Sequence, residues 1–99
     1  IQSNIELSIK NQLKAVKILR SLRQFNEALA LLKTIIASQP TSDLLAPAYH
    51  HQALCYFGLQ RYQEAQQSCA FSESLKENKQ VTELHKKILL ALDAAPKLE

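Results

Sequence analysis

Phe25-Asn26-Glu27-Ala28 returns 37 residues later as Tyr62-Gln63-Glu64-Ala65. An aromatic residue, an amide, Glu and Ala in the same order point to a repeated helical unit, each copy opening the second helix of a hairpin. Downstream of the first copy, Phe25, Ala28, Leu29, Leu32, Ile35 and Ile36 share one face at helical spacing. That face predicts a helix from about Phe25 to Ser38, stopped by Pro40, which cannot donate a backbone hydrogen bond.

Working outward, Ser3 followed by Glu6 reads as a capping box for a helix over about Asn4 to Leu22. Lys10, Lys14, Lys17 and Ser21 form one narrow stripe on it. Apolar residues flank the stripe on both sides, with Ile5, Ile9, Leu13 and Val16 on one and Ala15, Ile18, Leu19 and Leu22 on the other. A helix so widely apolar must touch neighbours on more than one side. The Pro, Thr, Ser and Asp of Gln39–Asp43 mark a break. A third helix is then expected from about Leu44 to Phe57, with Pro47 in its first turn and Gly58 closing it. The fourth covers Tyr62 to about Lys76. The fifth, Lys79 to about Ala94, turns Val81, Leu84, Ile88, Ala91 and Leu92 inward and Glu83, Lys86, Lys87 and Asp93 to water, as a capping helix would.

Composition agrees with an all-helical chain. Of 99 residues, 46% are apolar, which suits a globular domain and not disorder, and one Gly with three Pro supplies too few turns for a β fold. The net charge of +3 is a mild basic excess, and no aromatic residues interleave with the lysine stripe, so nucleic acid is not an expected partner. The longest apolar run is far short of a membrane span. Cys55 and Cys69 lack zinc-knuckle spacing and are expected to be free, buried thiols. With no secretory leader, these thiols favour a cytoplasmic or nuclear setting. The absence of an initiating Met suggests a segment of a longer protein, and the tail at 96–99 could derive from an expression tag.

Further steps carry a family resemblance. Tyr49, Tyr56 and Ala65 follow one another at seven and nine residues, with small residues Ala53 and Ser72 between and beyond them. Leu19 and Ala28 repeat the nine-residue step, and Pro40 follows Ala28 by twelve. The chain resembles the tetratricopeptide repeat family in these positions, over roughly Lys10 to Glu77. The resemblance implies an all-α, right-handed solenoid of antiparallel helix hairpins, about five helices in one domain at 1–95. Repeat one would cover about 9–42, repeat two about 46–78, and a capping helix 79–94. Gln12 replaces an aromatic, and Val16 and Ile35 replace small residues, which would splay the first hairpin. Glu77 stands where Pro is usual, so a different turn is expected between the fourth and fifth helices.

Members of this family bind other proteins in a concave groove lined by the first helix of each hairpin. Carried over residue by residue, that groove comprises Lys10, Leu13, Lys14, Lys17, Arg20, His50, Leu54 and Phe57, with Leu84 and Ile88 from the capping helix. The resemblance therefore implies an adaptor or scaffold for a peptide or helix, with the lysines forming a rail for an acidic one. The subgroup that grips chaperone C-termini is not matched, because its carboxylate-binding steps carry Leu13, Lys17, His51, Val81 and His85. The other reading is structural: a segment of a longer helical-repeat array, or a self-association module using helix one and a second apolar surface at Phe71 and Leu75. Phe71 and Leu75 could instead seat the fifth helix.

Catalytic signals are missing. His51 and Cys55 stand one turn apart but lack a second ligand pair for zinc, and neither cysteine lies in a nucleophile motif. One glycine cannot build a phosphate loop. No cofactor, metal or enzymatic activity is expected.

Overall fold

The computed structural model describes residues 2–94, with side chains from Glu6 onward. It is all-helical, with no strand among the described residues: α1 Gln2–Ser21, α2 Phe25–Ala37, α3 Ser42–Gly58, α4 Tyr62–Leu75 and α5 Lys79–Ala94. The side chain of Ile5 and the tail at 96–99 lie outside the described residues. Each helix packs on the next, and α1 also packs on α3 and α3 on α5, whereas α2 and α4 touch only their flanking helices. The body is elongated, 53 × 27 × 20 Å.

The 37-residue repeat reaches into the backbone of the turns. After α1, Gln24 N–H donates to the Leu19 carbonyl (2.9 Å) and Arg23 N–H to that of Arg20 (3.0 Å). After α3, Arg61 N–H donates to Tyr56 (2.9 Å) and Gln60 N–H to Phe57 (3.0 Å), the same bonds shifted by one repeat. Both are Schellman turns, which satisfy carbonyls left over at a helix end by taking one residue left-handed. That residue is Arg23 (φ 63°) or Gln60 (φ 62°), neither a glycine, so each turn costs about 1–2 kcal/mol of backbone strain. The following residues match too, Gln24 at φ −91°, ψ 66° and Arg61 at φ −93°, ψ 73°. The next pair of turns diverges. Gln39 is left-handed before Pro40, but its counterpart Lys76 is extended (φ −159°, ψ 127°), so α4 leads into α5 differently from α2 into α3.

Two local expectations need correction, and a third holds for a further reason. The helix is already under way at Gln2, which puts Ser3 inside α1 instead of at its cap. Helix α3 begins at Ser42, two residues early, so Pro47 falls in its second turn. There it removes the donor for the Asp43 carbonyl, which lies in an exposed residue and can turn to water. Gly58 is the last residue of α3 and does not take the left-handed position. Its lack of a side chain serves packing instead. A Cβ at Gly58 would stand 2.5 Å from Phe25 Cζ and 2.8 Å from both Cε atoms. The start of α2 thus presses against the end of α3.

Two clusters make the core. Ile9, Val16, Ala28, Leu29, Leu32, Ile35, Leu44, Ala48 and Cys55 join α1, α2 and α3. Ala53, Ala65, Cys69, Val81, Leu84 and Ile88 join α3, α4 and α5. Ala28 and Ala65 are both fully buried, one in each cluster. Contacts between α3 and α4 run in opposite senses along the two helices: Phe57 with Tyr62, Gln52 with Ser68, Tyr49 with Phe71, Ala46 with Ser72. Two hydroxyls bridge this antiparallel pair, Ser72 Oγ donating to the Ala46 carbonyl (2.9 Å) and Ser68 Oγ lying 2.9 Å from Gln52 Oε1. In the first hairpin Val16 and Ile35 fill the places of Ala53 and Ser72, and α1 and α2 approach closely along less of their length. Helix α5 sits on the Ala65 and Cys69 face of α4, so Phe71 is not its seat.

Gly58→Ala should destabilise the chain by about 1 kcal/mol. Overpacking against Phe25 costs about 1–3 kcal/mol and outweighs a helix-propensity gain of at most ~1 kcal/mol. In a Phe25→Leu background the cost should shrink, as urea unfolding of both singles and the double would reveal. Equal costs in the two backgrounds would place the strain elsewhere.

Candidate functional site: a cationic seam between the first and third helices

Helix α1 carries Lys10, Lys14 and Lys17 exposed, and Arg20 half-buried where the helix meets α3. Opposite Arg20 stand His50 and His51, both half-buried, their rings stacked with centroids 6.0 Å apart. Two polar atoms in this seam are buried without a hydrogen-bond partner, Arg20 Nε and His51 Nδ1. Such atoms are uncommon in folded proteins because each forfeits the hydrogen bonds it had in water.

Burial, with the neighbouring charges, explains the protonation. Burial pushes the His51 pKa from an ordinary 6.5 down to about 4, with Arg20, His50 and Lys17 adding like-charge repulsion. Burial, then Arg20, also lowers His50. Near neutral pH His51 is therefore an uncharged imidazole beside the fixed charges of Arg20 and Lys17. The seam presents hydrogen-bonding nitrogens in a positive field, a combination that favours a carboxylate or another anionic oxygen group. His50 also borders a cleft of about 130 Å³ shared with Pro47, Ser72 and Val81, which continues the surface toward α5.

The structure gathers Lys17, Arg20 and His50 and strings Lys10 and Lys14 along α1. Leu13 is half-buried against the first core cluster, and Leu54 and Phe57 against the second, where Phe57 meets the Tyr62 ring edge-on. Leu84 and Ile88 are core residues, 7% and 0% exposed, so their side chains face no groove in this conformation. His51 was not among the groove positions, and the pattern of single residues gave little reason to add it. The adjacency His50-His51 is a signal, but in sequence it reads first as packing, with too few partners for a metal site. Among the described residues no three of His, Cys, Asp or Glu gather to hold a metal.

Phe71 and Leu75 stand apart from the seam. Phe71 is 55% exposed and stacks on Tyr49 at 5.2 Å, and Leu75, one turn on, is half-buried. His85 Nδ1 lies 2.5 Å from Glu73 Oε1, tying α5 to α4. Cys55 and Cys69 are free and buried. Burial raises both thiols to about 11, with Arg20 opposing it at Cys55 and Glu73 adding to it at Cys69. No described helix is long and apolar enough to cross a membrane. No family model matches the chain, and neither a curated protein nor a solved structure matches it.

Two outcomes follow from these protonation states. Unfolded His51 takes a proton near pH 6.5, whereas the folded ring resists until about 4. Between those values the unfolded chain binds more protons, so stability falls as pH drops through the window. Urea midpoints at pH 7 and pH 5 should differ, and His51→Phe should reduce the difference; a midpoint indifferent to pH would refute the assignment. The thiols of Cys55 and Cys69 should resist a disulfide reagent at pH 8 and react fully in denaturant, since only thiolate attacks.

Proposed function

We propose that this chain is a protein-interaction module of the tetratricopeptide type, a short right-handed stack of two helix hairpins and a capping helix. Its role is to hold an acidic peptide segment or helix along the seam between α1 and α3, without catalysis. The observation that carries this reading is the convergence of Lys17, Arg20, His50 and His51, with Arg20 Nε and His51 Nδ1 buried and unpartnered. An acidic side chain or terminal carboxylate would supply the missing partner and the missing charge. The layering supports the same reading, because α1, α3 and α5 adjoin while α2 and α4 do not, as in a stack that curves toward the first helices. The exposed Lys10 and Lys14 extend the positive strip along α1 and would act mainly on association rate and salt sensitivity.

Charge reversal at Lys10 and Lys17 tests it. A fluorescent peptide rich in Asp and Glu should bind the parent chain more tightly than its Lys-rich counterpart, and more weakly as salt rises. Lys10→Glu with Lys17→Glu should cut that affinity at least tenfold and leave thermal unfolding nearly unchanged, since both side chains are exposed. Binding should also strengthen as pH falls toward 5, because a bound carboxylate raises the imidazole pKa values and so takes up protons. Acidic-peptide binding that ignores both reversals would remove the seam from consideration.

A further inference from the structure

The repeat register explains three of the exposed apolar side chains. Leu7 and Ile18 of α1, and Leu22 directly after it, are 57%, 59% and 62% exposed, although α1 packs on two other helices. They lie on one stripe at helical steps of eleven and four residues, Leu22 continuing it because its N–H still bonds to the Ile18 carbonyl (3.0 Å). Shifted by 37 residues, they fall on Leu44 and Cys55 of α3 and on Leu59 directly after it. There the first two are buried (7% and 0%), and all three pack in the cluster that joins α3 to α1 and α2. Shifted again, Leu7 and Ile18 fall on Val81 and Leu92 of α5, which pack in the cluster joining α5 to α3 and α4. Each odd-numbered helix thus has one stripe shaped to lie against the hairpin before it. In α3 and α5 the stripe is covered, and in α1 it is open.

We infer that the Leu7–Ile18–Leu22 face of α1 receives a helix hairpin of this same repeat type, placed before α1 in one polypeptide as α1–α2 is placed before α3. The covering helix would present an α2-like face. The internal interface is the argument, since the same positions, twice over, already take that partner. A second copy of the chain is a poorer occupant. Pairing α1 with itself in antiparallel fashion along this stripe sets Lys14 against Lys14, with Lys10 and Lys17 close by and only Glu6 to oppose them. The stripe lies beyond Lys14 from Lys10 and Lys17, so the inference stands or falls separately from peptide binding at the seam.

The test duplicates residues 5–41 in tandem within the full chain, so that a copy of α1–α2 precedes α1 in register. The extended chain should unfold in one transition at a higher temperature than the 99-residue chain. Ile18→Glu in the covered α1 should lower that temperature by several degrees, while the same change leaves the 99-residue chain's unaltered. Equal effects in the two chains, or an extended chain that unfolds in separate steps, would overturn the inference. A concentration-dependent dimer in sedimentation, dissolved by Ile18→Glu, would assign the face to a second copy and overturn it. So would binding of the 99-residue chain to phosphatidylserine vesicles that Ile18→Glu abolishes.

Discussion

The left-handed turn after each first helix sets everything else. By placing one residue at positive φ and closing a bond from Gln24 to Leu19, or from Arg61 to Tyr56, the chain reverses within three residues. The next helix then starts against the end of the previous one. Only after that reversal can Ala28 or Ala65 sink into a helix–helix crossing, and only then does an aromatic at the head of the second helix find its pocket. For Phe25 that pocket is the bare backbone of Gly58. For Tyr62 it is the edge of Phe57 and the second core cluster. Strain at two non-glycine residues is thereby offset by burial that depends on it.

The helices and their repeat were legible because periodicity and spacing act locally. The tetrad at Phe25 and Tyr62 fixed where second helices begin, and the inward set of α5 could be read from its apolar period. What single residues could not disclose was the work done by pairs. Gly58 looks like a helix stop until Phe25 is found against it. Phe71 looks like a seat for α5, yet α5 packs in the cluster of Ala65 and Cys69, and Phe71 stacks on Tyr49 instead. His51 looks like half of a metal site, and only the approach of Arg20 across the α1–α3 contact gives it another meaning. Residues that owe their role to a neighbour distant in sequence are those a one-dimensional pattern misses.

Exposure tells the same story from outside. A long apolar side chain on a surface is ordinary when solitary. Three of them on one helical stripe, each the register mate of a residue packed in the core, are not. At the other end Leu89 and Leu90, 44% and 70% exposed, hold the positions where α3 meets α4 through Gln52 and Ala53. Lys86 and Glu83 share that face, so α5 presents mixed chemistry there whereas α1 presents a largely apolar stripe.

The seam between α1 and α3 works against folding. Desolvating His51 beside Arg20 and Lys17, and burying Arg20 Nε without a partner, both raise the energy of the folded chain. Apolar contacts in the first core cluster must carry that cost, and Val16 and Leu32, with no exposed surface, are the residues placed to do so. A negatively charged oxygen entering the seam would relieve both penalties together. Ligand binding and stability are then one quantity seen from two sides, because whatever binds only the folded state stabilises it in proportion to its affinity. On the proposed reading, the energy that the empty seam costs is what an anionic ligand would recover. That asymmetry separates this pair of histidines from the buried Cys55 and Cys69, whose neutral thiols need no partner at all.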